Sequence, residues 1–328
     1  MTEEECQKTS VGGTKLASID IGSHTARLLV SQEIGPPGLF RPLLRKRAYI
    51  RLAEDFSVQG KETIKPEAIE RTLTALEDFA SITRRFRVES THAISTGVVR
   101  EAENRDDFLS LIYDHTGIKV KVISGEEEAH LTGMGVLHSL NIEGRSFMIF
   151  DLGGGSTEFI YGDQEDKKVK SIPLGAMVLT QKYLTSDPPG EEQIEALVRE
   201  VDGVLQEAFP ENTYSEKDHL LAGTGGTVAS LAAMIYSMDI KEISPDKMNG
   251  LILKREHLED LFVRIKSMTI DDRLKLPGLD RGRADVIPAG CMVVIRILHF
   301  FKSLQMVVSL SDLLEGIVIA YLKGEENG

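Results

Sequence analysis

An aspartate closing an apolar strand, followed by a glycine turn and a returning strand, occurs twice in this chain. The first copy is Asp20-Ile-Gly22-Ser23-His24-Thr25, and the second is Asp151-Leu-Gly153-Gly154-Gly155-Ser156-Thr157-Glu158. The elements around each copy follow the same order. Lys15 to Gly22, Arg27 to Ile34 and Arg41 to Leu52 read as three successive strands, and Pro66 then opens a helix whose apolar residues Ile69, Leu73, Leu76 and Ala80 keep the helical period. A strand over Val88 to Ser95, a helix over Asp106 to His115, a strand over Lys119 to Ile123 and a helix from near Glu126 complete the first set. Strands restart at Ser146 to Phe150, Glu158 to Tyr161 and Val169 to Pro173. Helices follow over Gly175 to Leu184 and Glu191 to Phe209, then a strand over His219 to Ala222. The remainder is mostly helical, at Lys254 to Lys266, Gly282 to Phe300 and Asp312 to Leu322. Three strands and then alternating helix and strand is the order of a ribonuclease-H-like domain. The repetition therefore predicts an α/β protein of two such lobes, 14–135 and 136–328, with an active-site cleft between them. The divide is placed near Gly133 to Glu143, and the last helix is free to pack back on the first lobe. A length of 328 residues also favours two cores over one.

The turns have the chemistry of phosphate sites. Gly22 lets backbone amides approach an anion, Ser23 and Thr25 add hydroxyl donors, and Asp20 can hold a metal or its water. The same residues would also serve an ordinary tight hairpin. Gly153, Gly154 and Gly155 say more, because three consecutive glycines cost conformational entropy that turning a corner does not require. Something must approach that backbone closely. Asp151 and Glu158 bracket the loop with hard oxygen donors suited to magnesium. A third glycine turn, Gly223-Thr-Gly225-Gly226-Thr227, leads into a helix from Val228 to Ile235 whose N-terminus favours a phosphate or a nucleotide.

Composition removes several classes. Hydrophobic content is 41% and charged content 27%, as in ordinary globular proteins. The apolar stretch Val286 to Phe301 carries Arg296 and is too short to span a bilayer, so no membrane role is expected. Residues 1–13 have no apolar segment of the signal-peptide kind, and Cys6 and Cys291 make no disulfide framework, which points to the cytoplasm. A net charge of −13 argues against nucleic acid as a partner. It also demands a local basic strip or a bound cation wherever a polyanion binds. Arg45-Lys46-Arg47 with Arg51, and Arg84-Arg85 with Arg87, are candidates for the strip, although a solvated face is the commoner role of such clusters.

Together with Ser95 to Asn104, Ile123 to Ala129, Leu276 to Asp285 and Ser309 to Asp312, the three turns resemble the actin, sugar-kinase and heat-shock-ATPase superfamily. The likeness is closest to its exopolyphosphatase and guanosine pentaphosphate phosphohydrolase family and spans about 17–319. The Glu127-Glu128-Ala129 stretch separates that family from the kinases. The resemblance implies hydrolysis of a terminal phosphoanhydride of inorganic polyphosphate or guanosine pentaphosphate, the latter tied to the stringent response, with Mg2+ or another divalent cation as cofactor. It implies that Glu128 prepares the attacking water, that Arg100 faces the phosphates with Arg283 as a weaker counterpart, and that Asp20, Asp151 and Glu158 hold the metal. Gly22, Ser23, His24, Thr25, Gly153 to Thr157, Gly225 and Gly226 would cradle phosphate. A homodimer is compatible with it. A small-molecule kinase and a noncatalytic sensor of guanosine tetraphosphate or polyphosphate are the competing readings.

Two residues depart from the family's pattern. His24 replaces an asparagine with a group that ordinarily titrates near neutrality, so a pH-dependent activity is expected. Leu314 replaces an arginine ahead of Glu315-Gly316, removing a phosphate or interlobe contact. Longer family members carry a further helical region, and its lack here predicts lower processivity and a preference for short chains.

Overall fold

A computed structural model of the chain describes residues 13–35, 38–54, 63–140, 146–163, 166–210 and 219–324. Cys6 and part of the expected divide, 141–143, lie outside the described residues. The first sheet is built from β1 (Lys15–Ile21), β2 (Thr25–Glu33), β3 (Phe40–Tyr49), β4 (Ser90–Ser95) and β5 (Val120–Val122), in the order β3-β2-β1-β4-β5. The second contains β6 (Ser146–Leu152), β7 (Thr157–Gly162), β8 (Lys167–Ile172), β9 (His219–Thr224), β10 (Ile252–Lys254) and β11 (Gln305–Val308), in the order β10-β11-β9-β6-β7-β8. Each sheet has an antiparallel three-strand meander with a parallel strand added beside its first member, β4 on β1 and β9 on β6.

The helices are α1 (Pro66–Phe86), α2 (Gly97–Glu101), α3 (Arg105–Thr116), α4 (Gly125–Leu140), α5 (Ala176–Tyr183), α6 (Glu191–Ala208), α7 (Gly226–Ile235), α8 (Pro245–Met248), α9 (Arg255–Lys266), α10 (Ile270–Arg273), α11 (Ile287–Phe300) and α12 (Leu313–Lys323). Strand alternation sorts β1 cleanly. Ala17, Ile19 and Ile21 enter a core with Phe79 of α1 and Ile112 of α3, whereas Leu16, Ser18 and Asp20 face the other way. The larger second core gathers Phe150, Phe159 and Leu231 around α11, which is buried along most of its length. Among the described residues no helix is long and apolar enough to cross a membrane.

The sequence reading carries β3 too far. The strand ends at Tyr49, where the amides of Ile50 and Arg51 both donate to the His24 carbonyl and Arg51 takes a left-handed conformation with φ 48°. The helix expected from Gly282 is a short 3-10 turn at Arg281–Arg283 followed by α11. The short strands β10 and β11 have no sequence signal of their own.

The two halves of the chain exchange helices. Ala129 and Val136 of α4 pack with Phe147, Ile149 and Ile160 of the second sheet, although α4 directly follows the last strand of the first. In return, α12 sets Leu314 and Val318 against Leu16 and Leu29, and Leu313 and Ile317 against Ile94 and Ile123. The exchanged helices cross at two glycines. A Cβ on Gly135 would lie 2.0 Å from the Asp312 carbonyl oxygen, and one on Gly316 would lie 1.8 Å from that of Leu131.

Candidate active site

The Asp-Gly turns are built alike. Gly22 N–H donates to the Thr25 carbonyl and Gly153 N–H to the Ser156 carbonyl, both at 3.0 Å. Register then places equivalent residues across each hairpin, Asp20 opposite Arg27 and Asp151 opposite Glu158. The turns also touch. A Cβ on Gly154 would sit 2.9 Å from His24 Cβ and one on Gly155 would sit 2.7 Å from Ser23 Oγ. What approaches Gly154 and Gly155 so closely is therefore the opposite turn, where bare backbone is needed for the lobes to meet, whereas a Cβ on Gly153 would meet only the Ser156 carbonyl oxygen of its own turn, at 3.1 Å.

Between the turns lies a cleft of about 310 Å3. Asp20, Asp151, Glu158 and Glu128 line it, together with Gly22 to Thr25, Gly153 to Ser156, Gly225, Gly226 and Arg283. Glu128 enters from the first turn of α4, and its Oε1 accepts from Thr96 Oγ1 at 3.2 Å. Glu158 Oε1 accepts from Ser171 Oγ at 2.8 Å. Burial raises the pKa of Glu128 well above its ordinary value, and the charges of Glu158, Asp20 and Asp151 push it further. Asp151 is likewise raised well above normal by burial and then by Asp312. Asp20 is raised by burial against the opposing pull of Arg27. Glu158 is raised by burial although serine hydroxyls favour its charged form.

Three buried carboxylates, Asp20, Asp151 and Glu158, with the half-buried Glu128 beside them form a site that a cation would relieve, and hard oxygen donors suit a divalent ion such as magnesium. Among the described residues no three His, Cys, Asp or Glu side chains converge into a closed ligand set. The donor chemistry fits magnesium, which keeps several waters and takes one or two carboxylates plus substrate phosphate oxygens.

The other expected residues are placed differently. Arg100 does not line the cleft. Its guanidinium donates to the Ile123 carbonyl at 3.2 Å and to Glu101 at 3.0 Å, while its charge reaches Glu158. Thr157 turns its hydroxyl to the Leu174 carbonyl at 2.5 Å, so only its neighbours face the cleft. The Gly225–Gly226 turn is covered by Arg283, whose guanidinium lies 1.8 Å from where a Gly226 Cβ would be.

His24 corrects the expectation of a neutral-range titration. Its Nε2 lies 3.0 Å from the Gly282 carbonyl and its Nδ1 3.1 Å from Met177 Sδ. Burial and then the Arg283 charge push its pKa down to about 4, so it is uncharged throughout the physiological range. Leu314 is likewise a core residue, and its carbonyl accepts from Ser18 Oγ at 2.9 Å.

Sequence reasoning missed Arg27, which donates to Asp20 Oδ2 at 2.8 Å and pairs with Asp312. An arginine opening an apolar strand was the available signal. The basic strip is largely occupied, since Arg45, Arg47 and Arg51 pair with Glu315, Asp280 and Asp285, and Lys46 with Asp78. Arg84, Arg85 and Arg87, at the end of α1, do not line the cleft.

The profile of the Ppx/GppA phosphatase family matches residues 30–325. The chain belongs to that family. Its α/β fold of two actin-like lobes is shared with a Ppx/GppA protein of Aquifex aeolicus, at a TM-score of 0.78 and 27% identity over 96% of this chain and 99% of that one. An exopolyphosphatase from Cytophaga hutchinsonii superposes at a TM-score of 0.85 with 25% identity, covering 95% and 98% of the two chains. In sequence, Exopolyphosphatase 2 of Mycobacterium tuberculosis is 32% identical over 323 residues, 94% of this chain and 98% of its own. A bifunctional 3-dehydroquinate synthase/phosphatase of Fusobacterium nucleatum is 30% identical across 95% of this chain, which matches 46% of that longer protein. Within this Ppx/GppA phosphatase family member, the cleft between the Asp20 and Asp151 turns is the candidate active site.

Proposed function

We propose that the protein hydrolyses the terminal phosphoanhydride of inorganic polyphosphate, with Glu128 as the base that takes a proton from the attacking water. The observation that carries this reading is the position of Glu128, in the cleft against Glu158, Asp20 and Asp151 and held by Thr96. A carboxylate whose pKa is raised by burial and by neighbouring anions is a stronger base than a surface glutamate. Water oxygen attacks the terminal phosphorus, the bridging P–O bond breaks, the shortened chain leaves with the electron pair, and the proton passes to Glu128.

One or two of Asp20, Asp151 and Glu158 would hold a divalent cation, which when bound supplies positive charge to the phosphate oxygens. The backbones of Gly22 and of Gly153 to Ser156, with the Ser23 and Thr25 hydroxyls, orient the terminal phosphate. Arg283 faces the remaining phosphates from the second lobe, and Arg100 adds positive potential beside Glu158. The exopolyphosphatase names of the relatives support polyphosphate as the substrate.

Guanosine pentaphosphate is a second reading with its own observation. Ala229, Ile240, Ile243 and Leu310 give the cleft an apolar side beyond the Gly225 turn, against which a base can lie. Phosphate release from polyphosphate, guanosine pentaphosphate and ATP, measured side by side, distinguishes the two. Glu128→Gln is expected to lower the rate about a hundredfold or more while leaving substrate binding in place. An unaltered rate removes Glu128 from the mechanism, and phosphate transfer to an added acceptor in place of water makes the protein a kinase.

A further inference from the structure

Behind the cleft, five charged residues are linked in series from the rim to Asp20. Arg45 of β3 pairs with Glu315 Oε1, and Glu315 Oε2 accepts from the Asp312 amide at 3.0 Å. Asp312 Oδ1 accepts from the Leu314 amide at 3.2 Å and its Oδ2 pairs with Arg27. Arg27 Nη2 lies 2.7 Å from Asp20 Oδ2. Asp312 and Glu315 form a capping box on the first turn of α12, so each carboxylate both caps that helix and meets an arginine of the first sheet. Strand register explains the match. Leu29 stands opposite Arg45 and Arg27 opposite Arg47, which puts Arg27, Leu29 and Arg45 on the face that α12 covers, with Leu29 packed on Leu314 between the two ion pairs.

We propose that Arg45 is a positioning residue for Asp20, acting by holding the start of α12, through Glu315, where Asp312 and Arg27 fix the Asp20 carboxylate in the cleft. Glu315 is only 3% exposed, whereas the Arg45 side chain retains 30% of its exposure at the rim. Without Arg45 a buried carboxylate stands uncompensated, a far more damaging state than the loss of both partners. The first turn of α12 relieves it by shifting towards solvent, drawing Asp312 off Arg27 and leaving the Arg27–Asp20 contact without its second anchor. Because Arg45 also lines the cleft, direct contact with substrate is the alternative that the test must separate.

The kinetic arm rests on the hydrolase reading, and a second arm does not. Full-length Arg45→Met, Glu315→Gln, the double variant and Arg45→Lys are compared for kcat and KM of phosphate release. The rise in Tm on adding magnesium chloride without substrate is measured in parallel. Arg45→Met is expected to lower kcat by roughly ten- to hundredfold with KM little changed, and to lose most of the magnesium-induced Tm rise. Adding Glu315→Gln restores both, because the stranded charge is gone, and Arg45→Lys keeps most of both should the Met variant fold poorly. A raised KM at unchanged kcat, with no recovery in the double variant, overturns the proposal in favour of direct substrate contact. Wild-type values in both arms for Arg45→Met overturn it in favour of an idle ion pair. If the wild type releases no phosphate from any substrate, the hydrolase reading fails and the magnesium arm decides the role of Arg45 alone.

Discussion

The crossing of α4 and α12 makes Gly316→Ala an informative substitution. Its Cβ would lie 1.8 Å from the Leu131 carbonyl oxygen and 2.5 Å from the Leu131 carbonyl carbon. A carbon meets a carbonyl oxygen comfortably at about 3.3 Å, so the two backbones must part by about 1.5 Å. Both belong to helices fixed on their sheets, so the strain falls at the upper end of the overpacking range, about 3 kcal/mol. At about 2 °C per kcal/mol for a chain of this size, Tm should fall by roughly 6 °C. The displacement also moves Glu128, on the first turn of α4, relative to Asp312 at the start of α12. A misplacement of about 1 Å at reacting groups costs about a hundredfold in rate. Calorimetry and phosphate release measure the two effects. Gly203→Ala in α6, where a Cβ meets nothing within 4 Å, is the control and should gain up to about 1 kcal/mol without changing activity. Gly316→Ala with wild-type Tm and rate would refute the crossing as a rigid contact. A lowered Tm with full activity would show that the crossing supports the fold without setting the position of Glu128.

Two further predictions concern protons. His24 has a folded pKa near 4, below its usual value, so the stability it contributes is present above about pH 6.5 and lost as pH falls towards 4. His24→Asn should therefore gain stability relative to wild type across that acid range while leaving the rate profile between pH 7 and 8 unchanged, and a changed profile there would restore His24 as a neutral-range switch. The carboxylates act in the opposite sense. Asp20, Asp151, Glu158 and Glu128 have raised folded pKa values, so their contribution is complete below about pH 4 and is lost as pH rises. In the His24→Asn background with chelator, Tm should fall from pH 5 to pH 8, and added magnesium should raise it more at pH 8. A magnesium effect independent of pH would argue against Asp20, Asp151 and Glu158 as the cation's seat.

The doubled Asp-Gly hairpin was legible because its period-2 strands and costly glycines are local features, and the two lobes follow from them. Asp20, Asp151 and Glu158 were legible for the same reason, since each brackets a turn, whereas Glu128 was singled out only through the family resemblance carried by Glu127-Glu128-Ala129. What stayed hidden depends on register and on contacts distant in sequence. Arg27 owes its role to standing opposite Asp20 and within reach of Asp312. The neutral state of His24 depends on burial against Gly282 and Met177, far along the chain. Arg45 reads from sequence as a solvated charge because its partner, Glu315, stands 270 residues away on α12. The identity of the partner that Gly154 and Gly155 admit, the opposite turn, is a tertiary fact that no local pattern contains.

The helix exchange also bears on how the molecule is made. During synthesis the first sheet emerges early, yet Leu16, Leu29 and Ile94 must wait for a helix ending at Lys323 before their outer face is covered. Contacts of such high sequence separation slow folding. A nascent chain released short of α12 would present that apolar face to chaperones, and expressing the first lobe alone should give an aggregation-prone fragment.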